Sequence, residues 1–238
     1  MNNYHISGKR MCDYPDYVIA MAYVKLAAVE TNRELGEIND EICDAMAQAC
    51  REIIDGKFHE DFVTDMVQGG AGTSVNMNAN EVIANRACEI LGHQKGEHKY
   101  CAPNDHANCG QSTNDAYPSA IHLALIRMNK TFVEKLAKLV ASFRKKAEEF
   151  KKDIKMGRTQ LQDAVPMTLG QTFGGFASIL RHEIANLDYA AHQFLAINMG
   201  ATAIGTGISS EPEYADYCTE AMAKITGWDI TRTEDFVG

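Results

Sequence analysis

A single uninterrupted helical stretch constrains the fold of this 238-residue chain more than any other feature. Residues 116–152 contain no glycine, and their one proline, Pro118, stands near the beginning, where a helix tolerates it. The apolar residues of the stretch recur at helical spacing: Leu123, Ile126, Met128, Phe132, Leu136, Leu139, Val140 and Phe143. A helix of ~35 residues would be ~50 Å long, against a mean of ~11–12 residues in globular proteins. The stretch therefore predicts one arm of a long helical bundle.

The rest of the hydrophobic pattern is also helical. The pattern predicts helices over Pro15–Leu35, from an N-cap at Asn39 to Gly56, over about Met77–Leu91, over Thr168–Asn198 and over Tyr214–Thr226. No segment alternates as strands do, so the predicted class is all-α. Gly174 and Gly175 lie inside the second long helix and mark either a close approach of two helices, which we favour, or a weak point. Long helices joined by short segments seldom stay monomeric.

Composition excludes several classes of function. The chain has 23 Lys and Arg against 32 Asp and Glu, a formal charge of −9, which argues against binding to nucleic acid or to anionic membranes. No stretch approaches the ~18 apolar residues of a membrane span, and residues 1–12 lack the apolar core of a signal peptide, so we expect a cytoplasmic protein. Seven cysteines without a CxxC pair predict reduced thiols rather than a disulfide framework or structural zinc.

Three polar segments between helices have the composition of ligand-binding loops. The first loop, residues 68–81, places Thr73 and Ser74 near a helix start, where free N–H groups favour anions. The second loop, residues 103–115, brings Ser112, Thr113 and Asn114 to the start of the longest helix. The third loop, residues 155–168, links the two long helices and carries a cation, a hydroxyl and an amide.

Each loop also has a purely structural interpretation. The first can be a glycine turn with a helix cap, and its asparagines can be capping or packing amides. The second can be an N-cap with Asp115 in the first helical turn. His106, a lone histidine in a polar loop, is more typical of a hydrogen-bonding structural residue than of a catalyst.

Taken together, the loops carry a family signature. The segments GGAGTSVNMNANEVIANRA, NDHANCGQSTNDAYPSA and GRTQLQDAVPMTLGQ, in this order, resemble the aspartase/fumarase superfamily. The resemblance extends from residues 6–8 to the GATAIGTG segment at 200–207, nearly the whole chain. It is strongest for the aspartate ammonia-lyase branch. Ala71 stands where fumarases have serine, Thr113 stands where they have a second serine, and Gln160 replaces a histidine usual in fumarases. Argininosuccinate and adenylosuccinate lyases are disfavoured because their first two loops differ.

The resemblance implies a homotetramer, with sites built from loops of three subunits, that interconverts L-aspartate with fumarate and ammonia without an organic cofactor. It assigns Thr73, Ser112 and Thr113 to the β-carboxylate of the substrate, and places Asn114, Thr159 and Gln160 near its amino group. We expect Thr159 and Gln160 to be the catalytic residues of this chain. Asn104 and Asp105 match the second, non-catalytic dicarboxylate site of the family. No cluster of Asp, Glu and His suggests a metal site.

One element of the family is absent from the sequence. The general base is a serine in a mobile GSSxxPxKxNP loop, and the printed chain has no such motif. We therefore expect an incomplete lyase, with an N-terminal helical domain over residues 1–111 that lacks its usual first segment. The truncated first part of the central bundle then occupies residues 112–238. Two alternatives remain open, namely a class II fumarase-type hydratase and an inactive helical fragment with only an assembly role.

Overall fold

The computed structural model describes residues 4–237 of the chain, and helices dominate it. Its six α-helices are α1 (Pro15–Glu34), α2 (Asp40–Ile54), α3 (Thr73–Ile90), α4 (Thr113–Glu149), α5 (Leu169–Gln193) and α6 (Tyr214–Thr226). Four short strands form two sheets: β1 (Ile154–Thr159) pairs antiparallel with β2 (Gln162–Thr168), and β3 (Ala196–Ile197) pairs parallel with β4 (Thr231–Arg232). The all-α class is confirmed.

Local signals set most helix ends. Pro15 opens α1, and the Asn39 side chain caps α2 by accepting the N–H of Ile42 at 3.0 Å. The longest helix, predicted over residues 116–152, spans Thr113–Glu149 and has 37 residues. The start predicted for the third helix, near Met77, was wrong by four residues, because Gly72 adopts φ 88° and α3 begins directly after it.

The segment predicted to be the third loop is instead a β-hairpin. Thr159 pairs with Gln162, so Gln160 and Leu161 form a two-residue turn with φ 47° and 65°. Positive φ at both positions is typical of the turn whose twist matches antiparallel strands. The strands went unrecognised because both of their faces are largely exposed, which leaves no alternation of apolar and polar residues.

Residues 4–125 and 194–237 form the first of two compact units. Helix α1 packs against α2 and α6, and α2 packs against α3. Small residues and thiols fill much of its core, which includes Met21, Ala27, Cys43, Met46, Ile53, Phe62, Ile83, Leu123, Tyr214, Cys218 and Met222. Asp65 holds the start of the chain by accepting the N–H groups of Ile6, Ser7 and Gly8 at 2.8–3.0 Å.

Residues 126–193 form the second unit, which contains most of α4, the hairpin and α5. Phe143 and Phe173 pack with ring centroids 6.0 Å apart. Near the start of α5, a methyl group added at Gly170 would stand 2.8 Å from the Cα of Lys151, and the close approach expected at Gly174 and Gly175 stays a prediction. Many large apolar side chains of this unit remain exposed: Met128, Phe132, Leu139, Ile154, Met156, Val165, Phe176, Ile179 and Tyr189.

The domain boundary predicted between residues 111 and 112 stays a prediction. Over residues 4–237, none of the helices combines the length and the apolar character of a membrane span.

Candidate functional site

A cavity of about 500 Å³ in the first unit lies between the second loop and a fourth loop, residues 199–210. Asn104, Ser112 and Thr113 line one wall, and Thr202, Ala203 and Ser209 line the other. The walls are rich in hydroxyl and amide groups, which bind anions and other polar ligands. The cavity is therefore the candidate site.

The second loop begins with a single turn of π-helix, Pro103–Ala107. Within it, the Nδ1 of His106 accepts the N–H of Ala102 at 2.8 Å, so this histidine holds the turn together. The structural interpretation of His106 thus accounts for its main contact. Asn104 is exposed and lines the cavity, whereas Asp105 is exposed and lies outside the set of residues that line it.

The start of α4 places two hydroxyl residues, Ser112 and Thr113, in the lining of the cavity. The Oγ of Ser112 accepts the N–H of Asn114 at 3.2 Å, and the Oγ1 of Thr113 accepts the Nδ2 of Asn76 at 3.1 Å. Each oxygen thus already accepts a hydrogen bond from the protein, and its own proton remains to be donated. The positive end of a long helix dipole lies at the same place. This arrangement is suited to a carboxylate.

A network of amide side chains forms hydrogen bonds with the second loop. The Oδ1 of Asn108 accepts the Nδ2 groups of Asn76 and Asn80 at 3.0 and 3.1 Å. The Nζ of Lys25 donates to the same oxygen at 3.3 Å and to the Oε1 of Gln111 at 2.8 Å. The asparagines of α3 thus act as packing amides, one of the two interpretations open from the sequence.

Lys25 is the buried cation of this network, with 1% of its surface exposed. Burial lowers its pKa to about 7, although the charge of Asp115 partly opposes that effect. Neither of its two hydrogen-bond acceptors carries a charge. The sequence pattern offered no signal for Lys25, because it lies within an otherwise ordinary apolar helix.

Asp115 connects the two walls of the cavity. Its Oδ1 accepts the N–H of Ser112 and its Oδ2 accepts the N–H of Thr202, both at 2.9 Å. Burial raises the pKa of Asp115 to about 6, while the amides of Thr202 and Ser112 and the charge of Lys25 favour the ionised form. The N-cap interpretation of Asp115 therefore accounts for its bond to Ser112. The sequence did not predict its bond to Thr202 in the fourth loop.

The remaining predicted residues lie apart from the cavity lining or in the other unit. Thr73 is exposed at the start of α3 and its Oγ1 donates to the carbonyl of Gly70 at 2.8 Å. Asn114 is exposed and its Nδ2 donates to the carbonyl of Ala203 at 2.7 Å. Thr159 and Gln160 belong to the second unit, at the end of β1 and in the hairpin turn, and both are exposed. Their roles in substrate binding and catalysis stay predictions.

Thr202, Ala203 and Ser209 were absent from the predicted site. The GATAIGTG motif was the signal that could have identified the first two. Within residues 4–237, no group of three or more His, Cys, Asp and Glu side chains is arranged to hold a metal ion.

Known proteins with similar sequences and folds are lyases and a fumarase. The chain is 49% identical over all its 238 residues to the aspartate ammonia-lyase of Pseudomonas canavaninivorans, of which it covers 50%. A fumarate lyase:delta crystallin from Brucella melitensis, solved with bound cobalt, superposes with a TM-score of 0.93 at 45% identity, covering 99% of this chain and 51% of that one. A class II fumarase from Schistosoma mansoni superposes with a TM-score of 0.80 at 29% identity, covering 99% of this chain and 51% of that one.

The chain thus spans about half the length of these relatives. A family model described as lyase matches residues 1–237, nearly the entire sequence. The chain therefore belongs to this lyase family.

Proposed function

We propose that this chain carries the carboxylate-binding loops of a cytoplasmic aspartate ammonia-lyase, which interconverts L-aspartate with fumarate and ammonia. Two kinds of evidence support the proposal, namely the relatives of that activity at 49% identity and the hydroxyl donors at the start of α4. The observation that carries it is the state of Ser112 and Thr113. Because both oxygens already accept protein N–H groups, both protons are free for a carboxylate.

The reaction places a particular demand on such a site. Removing the C–H proton beside the β-carboxylate produces an aci-carboxylate with two negative charges, so catalysis requires donors where that charge grows. Neutral hydroxyls fixed in place at a helix start meet this demand, whereas a fixed cation would also stabilise the ground state. In this proposal Thr73, Ser112 and Thr113 hold the β-carboxylate. Asn114, Thr159 and Gln160 act on the amino group, and Asn104 and Asp105 contribute to a second dicarboxylate site.

In this proposal the general base is a serine of the GSSxxPxKxNP motif, which does not occur in the 238 residues of the sequence. A positioned acid or base commonly contributes ~10²–10⁴-fold to a rate, so we propose that the 238-residue chain alone has negligible turnover. A protein that joins it to a segment with the GSSxxPxKxNP motif should release fumarate from L-aspartate, measured as ultraviolet absorbance. Hydration of fumarate to L-malate by that protein would favour the fumarase alternative. Turnover by the chain alone at the rate of a full-length relative would contradict the assignment of the base.

Binding tests the role of the second loop directly. We expect the chain to bind fumarate in a calorimetric titration, and Ser112→Ala and Thr113→Val each to weaken binding by about tenfold, since each removes one hydrogen bond to a charged group. Ser142→Ala is the matched control, because Ser142 is exposed on α4 and donates only to the carbonyl of Lys138. Equal affinity in all four proteins would exclude the second loop as the carboxylate site.

The proposal includes assembly into a homotetramer through the long helices. Phe132, Phe176, Ile179 and Tyr189 expose 47–71% of their surface, an unusual amount for large apolar side chains on neighbouring helices. Sedimentation of the chain at increasing concentration tests this point. A chain that stays monomeric at all concentrations would contradict the proposed homotetramer.

A further inference from the structure

We propose that Asp115 is a positioning residue whose buried carboxylate fixes the spacing between the second and fourth loops, and through that spacing the affinity of the cavity for a dicarboxylate. The dicarboxylate part of this inference rests on the proposed function. Asp115 itself has no exposed surface, so it cannot touch a ligand and must act through the two loops.

The geometry behind this inference is a row of hydrogen bonds between the first turn of α4 and residues 198–203. Asp115 accepts the N–H of Thr202, and the Nδ2 of Asn114 donates to the carbonyl of Ala203. The Nδ2 of Asn198 donates back to the carbonyl of Asn114 at 3.1 Å. Of these three bonds, the one made by Asp115 is buried and involves a charged group, which makes it the strongest.

The fourth loop lies between β3 and α6 and contains no helix or strand, so hydrogen bonds to neighbouring elements help to set its position. Its backbone turns sharply, with the carbonyl of Ala201 accepting the N–H groups of Gly205 and Gly207, both at 3.1 Å. Thr202 adopts φ 59°, in the left-handed region that non-glycine residues rarely adopt. A bond from Asp115 to the N–H of this residue therefore stabilises the strained turn that forms the opposite wall.

The same carboxylate also binds the wall of the cavity that contains Ser112. Its second oxygen accepts the N–H of Ser112, the residue directly before α4. One side chain thus connects the backbone of Ser112 to that of Thr202, across the cavity that both residues line. A change at Asp115 should move both walls together, whereas a change at Ser112 alone removes only a donor.

Asp115→Asn is the primary test. The variant keeps the shape of the side chain but replaces one accepting oxygen with an NH₂ group, which would face the backbone N–H of Ser112 or that of Thr202. We expect the amide that loses its acceptor to exchange with deuterium about tenfold faster, and fumarate to bind about tenfold more weakly. Asp44→Asn is the matched control, because Asp44 is exposed and accepts only from Arg33. Neither readout should change in the control.

Asn198→Ala provides a milder variant if Asp115→Asn fails to fold. It removes the bond to the carbonyl of Asn114 and the oxygen that accepts the hydroxyl of Ser119 at 3.3 Å, and it leaves Asp115 in place. We expect exchange at Thr202 and fumarate affinity to change in the same direction, by about threefold, because this bond joins neutral groups at a partly exposed position.

The outcomes separate this proposal from the proposed function. A merely structural role would lower the unfolding temperature of the Asp115 variant and leave the fumarate affinity of the folded protein unchanged, which would overturn the proposal. Absence of fumarate binding by the unaltered chain would instead contradict the proposed function. In that case unchanged exchange at both Ser112 and Thr202 in the variant would also overturn the anchoring role of Asp115, and faster exchange at either amide would support it.

Discussion

The carboxylate of Asp115 accepts the backbone N–H of Thr202 at 2.9 Å, although 87 residues separate the two in sequence. Both belong to the first unit, where this bond joins the start of the longest helix to a loop with a strained backbone. The burial that makes the bond strong also makes it dependent on pH, because the native pKa of Asp115 is raised from 3.8 to about 6.

The pH dependence of stability should reveal this ionisation. A native pKa above the unfolded value means that the native state holds its proton more tightly between about pH 4 and 6. Wild type should therefore lose stability relative to Asp115→Asn as pH rises through that window, by up to about 1.4 kcal/mol per pH unit. Urea unfolding at several pH values measures the difference. A difference that is flat between pH 4 and 6 would contradict it, and Asp44→Asn should show no such slope.

The ionisation of Lys25 should make the free energy of unfolding depend on pH in a different pH range. Its native pKa of about 7 lies below its unfolded value of 10.5, so the cost of burying its charge is present below pH 7 and relieved as pH rises toward 10.5. Relative to Lys25→Met, wild type should gain up to about 1.4 kcal/mol per pH unit from about pH 7 to 10. Urea unfolding checks this as well. The exposed Lys57→Met serves as the control, and an equal slope there would point to a different group.

Gly72 should be far less tolerant of alanine than Gly70. Both residues have φ near 90°, so both substitutions strain the backbone by about 1–2 kcal/mol. At Gly70 the added methyl group meets nothing within 4 Å, whereas at Gly72 it would overlap the ring of Tyr117 in α4. We expect Gly72→Ala to cost about 1–3 kcal/mol more than Gly70→Ala in urea unfolding. Equal costs would mean that α3 and the ring are not in close contact.

Replacing Leu161 with glycine should stabilise the hairpin turn. This residue is 93% exposed and adopts φ 65°, so glycine relieves backbone strain without loss of packing. We expect amide exchange in the hairpin to slow by about two- to fivefold in Leu161→Gly. Val165→Gly, at an exposed strand position, should accelerate it instead, because glycine weakens a strand. Acceleration in both variants would argue against the turn.

Thiol reactivity should follow burial. Cys43, Cys50, Cys88, Cys101 and Cys218 are buried, and burial raises the pKa of Cys50, Cys101 and Cys218 to about 12. In the native protein a thiol reagent should modify only Cys12 and Cys109, which are partly exposed. All seven should react in denaturant. Rapid modification of more than two native thiols would contradict the packing of the first unit.

Helix positions followed from the sequence wherever the cause was local. Pro15 and Asn39 act within one turn of their own helices, and their roles were predicted from neighbouring residues. The hairpin was missed because its strands are exposed on both faces and carry no alternating pattern. The close approach at Gly170 was not predicted, since only the packing shows that the backbone of Lys151 faces this residue.

In the candidate site, too, some features follow from the sequence and others only from the packing of the chain. Sequence by itself determined the family, the all-α class and the hydroxyls of Ser112 and Thr113 at a helix start, because these depend on residue type and on order along the chain. Only the tertiary structure decided that Lys25 donates a hydrogen bond to Asn108 and that Asp115 accepts one from Thr202. Those contacts join residues more than 80 positions apart, and their energies depend on burial, which packing of the whole unit creates.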